Sequence, residues 1–149
     1  MRFSTLKRPD DKDIATAVSC GDRVVLPLDG TYTFLVNRFA DRTGEYRYPI
    51  VVVRPDRVLD LQLGKAVRGN LEKRGEHDIY RFTIAAPTHV AVDAGRCTGN
   101  TAVRLLYGDQ DLTAGDLCRF AYDLPKAGTY QMLLNPFDSG IGPYGFTLR

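Results

Sequence analysis

The chain has 149 residues, of which 44% are hydrophobic and 26% charged, and its 20 basic and 18 acidic side chains leave a formal net charge of +2. This balance is globular and excludes wholesale disorder, and the dispersed, near-neutral charge is no footprint for nucleic acid or an anionic membrane. No run reaches the roughly 18 apolar residues of a spanning helix, and the catalytic raw material is thin: Ser4, Ser19, Ser139, His77, His89 and no tryptophan.

The opening residues Met1 to Lys7 are not followed by the apolar core of a secretory signal; Asp10, Asp11 and Asp13 arrive instead. The chain is therefore expected to be cytoplasmic, or an internal piece of a longer precursor. Four strands are expected in its first third, near 3–7, 18–26, 31–37 and 46–53. From there period-2 alternation dominates, and 3.6-period segments are missing. Leu59, Leu61 and Leu63 alternate with polar residues, 67–71 follows, and then Tyr80, Phe82 and Ile84. The stretch 89–94, Val103/Leu105/Tyr107, Cys118/Phe120/Tyr122/Leu124, Tyr130/Met132/Leu134 and Tyr144/Phe146/Leu148 complete about eight strands, with Gly, Pro, Asn and Asp punctuating between them. The fold class expected is all-β: a jelly-roll-like antiparallel β-sandwich with an additional half-repeat of about four strands at the N-terminus.

The half-repeat is read from internal similarity. Sliding the chain by 98 residues lays 1–51 on 99–149 without a gap, with 13 identities, among them Asp11/Asp109, Asp13/Asp111, Cys20/Cys118, Gly30/Gly128, Tyr32/Tyr130 and Tyr46/Tyr144. On this reading 52–149 is a complete β-sandwich repeat and 1–51 is the C-terminal half of a first repeat. Cys97 and Cys118 then form a disulfide within the complete copy, and Cys20 is left over; a bridge involving Cys20, or three free thiols, stays open. A four-strand half exposes an apolar face bearing Tyr32, Phe34, Val36, Tyr46, Tyr48 and Ile50. It is expected to pack on the complete copy or to pair with another chain as a strand-exchanged homo-oligomer.

The motifs LGKAVRGNL at 63–71, GEHDIYRF at 75–82, LPKAGTY at 124–130 and PYGFTL at 143–148 resemble those of the bacterial pre-peptidase C-terminal domain. The resemblance covers about 60–149. It implies a non-catalytic β-sandwich appended to secreted or cell-surface proteins, often proteases and sometimes in tandem; some such domains bind collagen or other polymers, and some bind calcium. Within these motifs Asp78 stands where a turn enters a strand, placed to accept backbone N–H groups. Gly30 and Gly128 suit a backbone with positive φ.

Alternate carboxylates in a loop can aim oxygens at one hard cation, which makes Asp109 and Asp111 calcium candidates, with Asp11/Asp13 as their counterparts and Asp138 as a further donor. The alternative is a turn whose aspartates cap backbone N–H groups. Ser139 lies in no nucleophile elbow, His89 is expected on a strand's solvent face and His77 in a charged turn, so catalysis is not expected. The cysteines and histidines lack zinc-ligand spacing. Tyr46, Tyr48, Tyr107, Tyr122 and Phe137 are available to stack on polymers or to pack, and fifteen arginines against five lysines are dispersed. The expectation is a non-catalytic secreted or cell-surface module mediating binding or spacing in a larger tandem-repeat protein. The alternative is a carbohydrate- or matrix-polymer-binding module of a secreted hydrolase. Its partner is expected to be a protein or an extracellular polymer, with no nucleic acid and no membrane insertion.

Overall fold

Strand-forming alternation in the sequence becomes two compact units, Met1–Ile50 and Val51–Arg149, in a computed structural model that describes residues 4–16, 18, 21–36 and 43–149. The first unit holds β1 (Ser4–Lys7), β2 (Asp13–Thr16) and β3 (Thr33–Val36). The second holds β4 (Arg57–Asp60), β5 (Ala66–Leu71), β6 (Asp78–Ile84), β7 (Thr88–Ala91), β8 (Ala102–Tyr107), β9 (Gln110–Asp116), β10 (Ala121–Leu124), β11 (Gly128–Leu134) and β12 (Gly142–Thr147).

In the second unit one layer is a five-stranded sheet in the order β4-β6-β11-β8-β9. The other is built from the pairs β10-β7 and β12-β5, joined by the Val92–Leu148 bridge and by reciprocal hydrogen bonds between Ala91 and Arg149. Period 2 decides what lies between the layers. Tyr80, Phe82 and Ile84 of β6, Tyr130, Met132 and Leu134 of β11, and Val103 and Leu105 of β8 point inward from the first layer. Leu71, Val90, Leu124, Tyr144, Phe146 and Leu148 meet them from the second. All pairings are antiparallel except β4 with β6, which is parallel.

Four local expectations differ from the structure. Of Leu59, Leu61 and Leu63 only Leu61 is buried: Leu59 is exposed on the edge strand β4, which ends at Asp60, and Leu63 is exposed in the turn ahead of β5. Cys118 sits in a one-turn 3-10 helix, Leu117–Arg119, ahead of β10 rather than within it. Strand β9, with its sparse apolar residues, was outside the expected set; it is an edge strand and has little to bury. In the first unit the expected strands over 18–26 and 46–53 do not form among the described residues, whereas 13–16 does.

The two units share a construction. The first unit's sheet order is β2-β1-β3, and the second contains β9-β8-β11. Ser4 faces Val36 as Val103 faces Leu134, and Lys7 faces Thr33 as Leu106 faces Gln131. Both hairpins carry a register shift at the same place, between Leu6 and Lys7 and between Leu105 and Leu106; the first loop is one residue longer. The hydroxyl of Tyr32 donates to the carbonyl of Leu28 at 2.7 Å, and that of Tyr130 donates to the carbonyl of Lys126 at 2.7 Å. Gly30 and Gly128 have φ of +133° and +144°, and a Cβ would lie 2.8 Å from Pro9 Cγ at the first and 2.9 Å from the Tyr107 ring at the second. Alanine at Gly128 is therefore expected to cost more than the ~1 kcal/mol of strain alone, measured as a lower urea midpoint at unchanged slope.

Candidate functional site

One end of the second unit gathers an unusual number of ionisable groups under cover. The sequence enters β6 through Glu76, His77 and Asp78. Strand period 2 then puts Asp78 on the inward face with Tyr80, where its side chain is fully buried. A lone carboxylate there would be prohibitively costly, so partners must come to it. The parallel register of β4 sets Arg57 opposite Asp78, and Arg57 forks onto both carboxylate oxygens at 2.8 Å. Arg54, from the segment before β4, adds a bond at 2.9 Å and also donates to the His77 carbonyl at 3.1 Å. From β12 in the opposite layer, Tyr144 donates its hydroxyl to Asp78 at 2.5 Å and so accepts from Tyr80 at 2.7 Å.

Burial opposes ionisation of Asp78 more than any other single influence. The hydrogen bonds from Arg57 and Tyr144, with the charges of Arg54 and Arg57, together outweigh it and hold the carboxyl below its ordinary range. Tyr144 is pushed far above the ordinary phenol value, first by burial and then by its bonds to Asp78 and Tyr80. Tyr80 is raised as well, chiefly by burial.

A second ring of contacts supports the first. Glu76 is nearly buried, accepts the Glu72 N–H at 2.8 Å and faces Arg54 at 3.5 Å. Asn135, held at φ +66°, donates to the Glu76 and Gly140 carbonyls and accepts the Gly140 N–H at 2.7 Å. His77 is not an open turn residue. It is buried, its Nε2 lying 2.7 Å from Asp138 and its Nδ1 3.5 Å from Asp56, because the β11–β12 loop folds over it. Asp78 likewise is fixed by guanidinium and phenol donors rather than by backbone N–H groups. Chemically, the assembly ties β4, β6, β12 and the β11–β12 loop together, with both Asp78 oxygens engaged.

The other candidate residues are scattered. Asp109 is exposed in the β8–β9 turn, and Asp111 turns to Arg104, whose Nε is 3.8 Å away. Asp13 lies 4.0 Å from Lys7. Among the described residues no group of three or more His, Cys, Asp or Glu side chains is placed to hold a metal ion. Ser139 is exposed, and His89 is exposed on β7, 2.6 Å from Asp123. Cys97 and Cys118 form a disulfide with Cα atoms 5.4 Å apart. Each sits at a 3-10 turn capped by an aspartate: Asp93 accepts from Gly95 N–H, and Asp116 from Cys118 N–H at 2.8 Å. Cys20, the remaining cysteine, lies outside the described residues.

Sequence reasoning singled out Asp78 but not Arg54, Arg57, Glu76 or Asn135, and it took Tyr144 only as a core aromatic. The usable signal was an Arg-x-x-Arg pair whose second member opens a short strand, with an acidic residue opening a strongly apolar one.

No protein-family model matches the chain, and no curated protein matches it. Among solved structures it is similar to the periplasmic lysozyme inhibitor of g-type lysozyme PliG from Aeromonas hydrophila, at 13% identity and a TM-score of 0.48 over 63% of this chain and 97% of that one. It is also similar to the pre-peptidase C-terminal domain of a collagenase from Bacillus anthracis, at 16% identity and a TM-score of 0.52, covering 66% of this chain and 100% of that domain. The chain thus contains an all-β sandwich with the fold of a pre-peptidase C-terminal domain.

Proposed function

We propose that the chain is a non-catalytic, extracytoplasmic β-sandwich module that serves protein binding or spacing within a larger protein of tandem repeats. The observation that carries this reading is the closure of the buried polar cluster. Asp78 receives four donor contacts, two from Arg57 and one each from Arg54 and Tyr144, which fills the roughly four acceptor sites of a carboxylate. A general base or nucleophile needs a free lone pair within reach of substrate. The shallow depression between Asp60, Leu61, Arg81, Phe82, Thr83 and Thr129 holds an exposed Arg81–Asp60 ion pair and no histidine, cysteine or serine among its lining residues.

The Cys97–Cys118 disulfide supports an oxidising compartment. Among the described residues the second unit has no row of exposed rings: Tyr107 packs on Tyr130, Tyr122 is half-buried and Phe137 is exposed. In the first unit Tyr48 meets Phe34 edge-on and Tyr46 at a tilt, with centroids 5.7 and 5.5 Å apart, so the three rings share no flat face, which favours a protein partner over a polymer chain.

Two measurements test the reading. The bridge closes a loop of 21 residues, so Cys97→Ser/Cys118→Ser is expected to lose about 3 kcal/mol in urea unfolding. Thiol labelling of protein taken from its native cells should find both cysteines oxidised. Free thiols at both positions would sink the extracytoplasmic part. Turnover of ester, peptide or glycoside substrates that disappears in His77→Ala would sink the non-catalytic part.

A further inference from the structure

In the second unit, residues 99–149 are completed by residues 51–98: β6 pairs with the outer edge of β11, β7 with β10, and β5 with β12. The first unit reproduces the internal pairings of 99–149 and, among the described residues, forms no others. The strands it forms, β1, β2 and β3, are the counterparts of β8, β9 and β11, which pair with one another. The stretches 98 residues ahead of β10 and β12 are 23–26 and 44–49, and neither is a strand. Their counterparts are the two strands whose partners come from 51–98.

Burial follows the same division. Leu124, Tyr144 and Leu148 are 1, 3 and 0% exposed, whereas Leu26, Tyr46 and Ile50, each 98 residues earlier, are 47, 55 and 74% exposed. Along β3, which has β1 on one edge, no strand pairs with the other edge among the described residues. Two stretches that form no strand, a β3 edge with no strand on it among the described residues, and the exposed Leu26, Tyr46 and Ile50 are thus disposed as they would be in the second unit with 51–98 removed.

We propose that the first unit is a docking surface for a first-half segment of a neighbouring repeat, a strand-rich polypeptide segment built like residues 51–98. The second unit supplies the template for the interface: such a segment brings strands to lie beside 23–26, 44–49 and the β3 edge on which no strand pairs among the described residues. A second copy of this chain does not satisfy the need, since each copy carries two second halves and one first half, and exchange between copies leaves the deficit unchanged. The docked segment also brings a cysteine. Cys97 of 51–98 bonds Cys118, and Cys20 stands 98 residues before Cys118. The inference goes beyond the module reading and stands whether the module works outside the cytoplasm or inside it.

The test is an extended chain in which residues 51–98 are repeated ahead of Met1, refolded with oxidised and reduced glutathione. Oxidised glutathione takes the two electrons and two protons released when the added cysteine and Cys20 join, and leaves as two reduced molecules. Amide exchange at 23–26 and 44–49 is expected to slow at least tenfold relative to the unextended chain, towards the rates of 121–124 and 142–147. Peptide mapping is expected to place the new disulfide at Cys20. An extension of the same composition in scrambled order should do neither. If the extended chain fails to fold, the separate 51–98 segment added to the full chain is expected to give a one-to-one Cys20 adduct. Unchanged exchange with Cys20 left as a thiol in both formats overturns the proposal. So does capture at Cys118, or an unextended chain that already dimerises with 23–26 and 44–49 protected.

Discussion

Replacing Asp78 with alanine is expected to lower the stability of the second unit by about 3–5 kcal/mol, the range for breaking a buried ion pair from one side. The reason is what remains. Arg54 and Arg57 keep their charges beside an apolar layer, the Tyr144 hydroxyl loses its acceptor, and β4 loses the side chain that fixes its register against β6. Asp78→Asn preserves the shape and separates charge from packing. Because the folded carboxyl is held below its unfolded value, its contribution is present above about pH 4, the unfolded value, and is lost as pH falls through the folded one. Urea midpoints from pH 7 to pH 2 should therefore fall more steeply in the natural protein than in Asp78→Asn, with the two curves converging in acid. At the alkaline end Tyr144, raised by burial and by its bond to Asp78, contributes stability that is present below about pH 10 and lost above it. Parallel pH curves for the two proteins would show that the Asp78 charge does not hold this end of the sandwich together.

How much of this was legible in the sequence divides by range. Alternation placed Tyr80, Phe82, Tyr130, Met132, Tyr144 and Phe146 in the core because period 2 is a local property, readable wherever a strand has one buried face. The glycines at 30 and 128 were readable for the same reason: their positive φ belongs to a short turn. The Asp78 cluster was only half legible. Its acid stood out, but its partners come from β4 and β12, and pairing between distant strands leaves no local mark. The first unit marks the limit most clearly. Residues 23–26 and 46–49 belong to the stretches 18–26 and 46–53 expected to be strands, and their counterparts 98 residues later are strands. What differs is the neighbour, since a strand becomes one by pairing and by covering its apolar face.

Gly69→Ala gives the other large expected effect, and propensity and packing disagree on its sign. Gly69 lies inside β5 at an ordinary φ, where alanine should on backbone entropy alone stabilise by roughly 0.5–1 kcal/mol. It is, however, the direct cross-strand partner of Tyr144, and a Cβ there would overlap Tyr144 Cζ and lie 2.8 Å from Cε1. The ring has nowhere to go. It stacks on Phe146, meets Tyr80 edge-on, and is anchored through its hydroxyl to Asp78. The overlap is expected to cost about 1–3 kcal/mol as overpacking. Displacing the phenol from a buried carboxylate adds about 1.5–3 kcal/mol, so the net loss should reach about 3 kcal/mol despite the better propensity. A double-mutant cycle with Tyr144→Leu isolates the mechanism. With the ring shortened, Gly69→Ala should become neutral or stabilising, giving a coupling of at least about 2 kcal/mol. An equal cost in both backgrounds would mean that Gly69 is required by its own backbone and that the tyrosine above it is incidental.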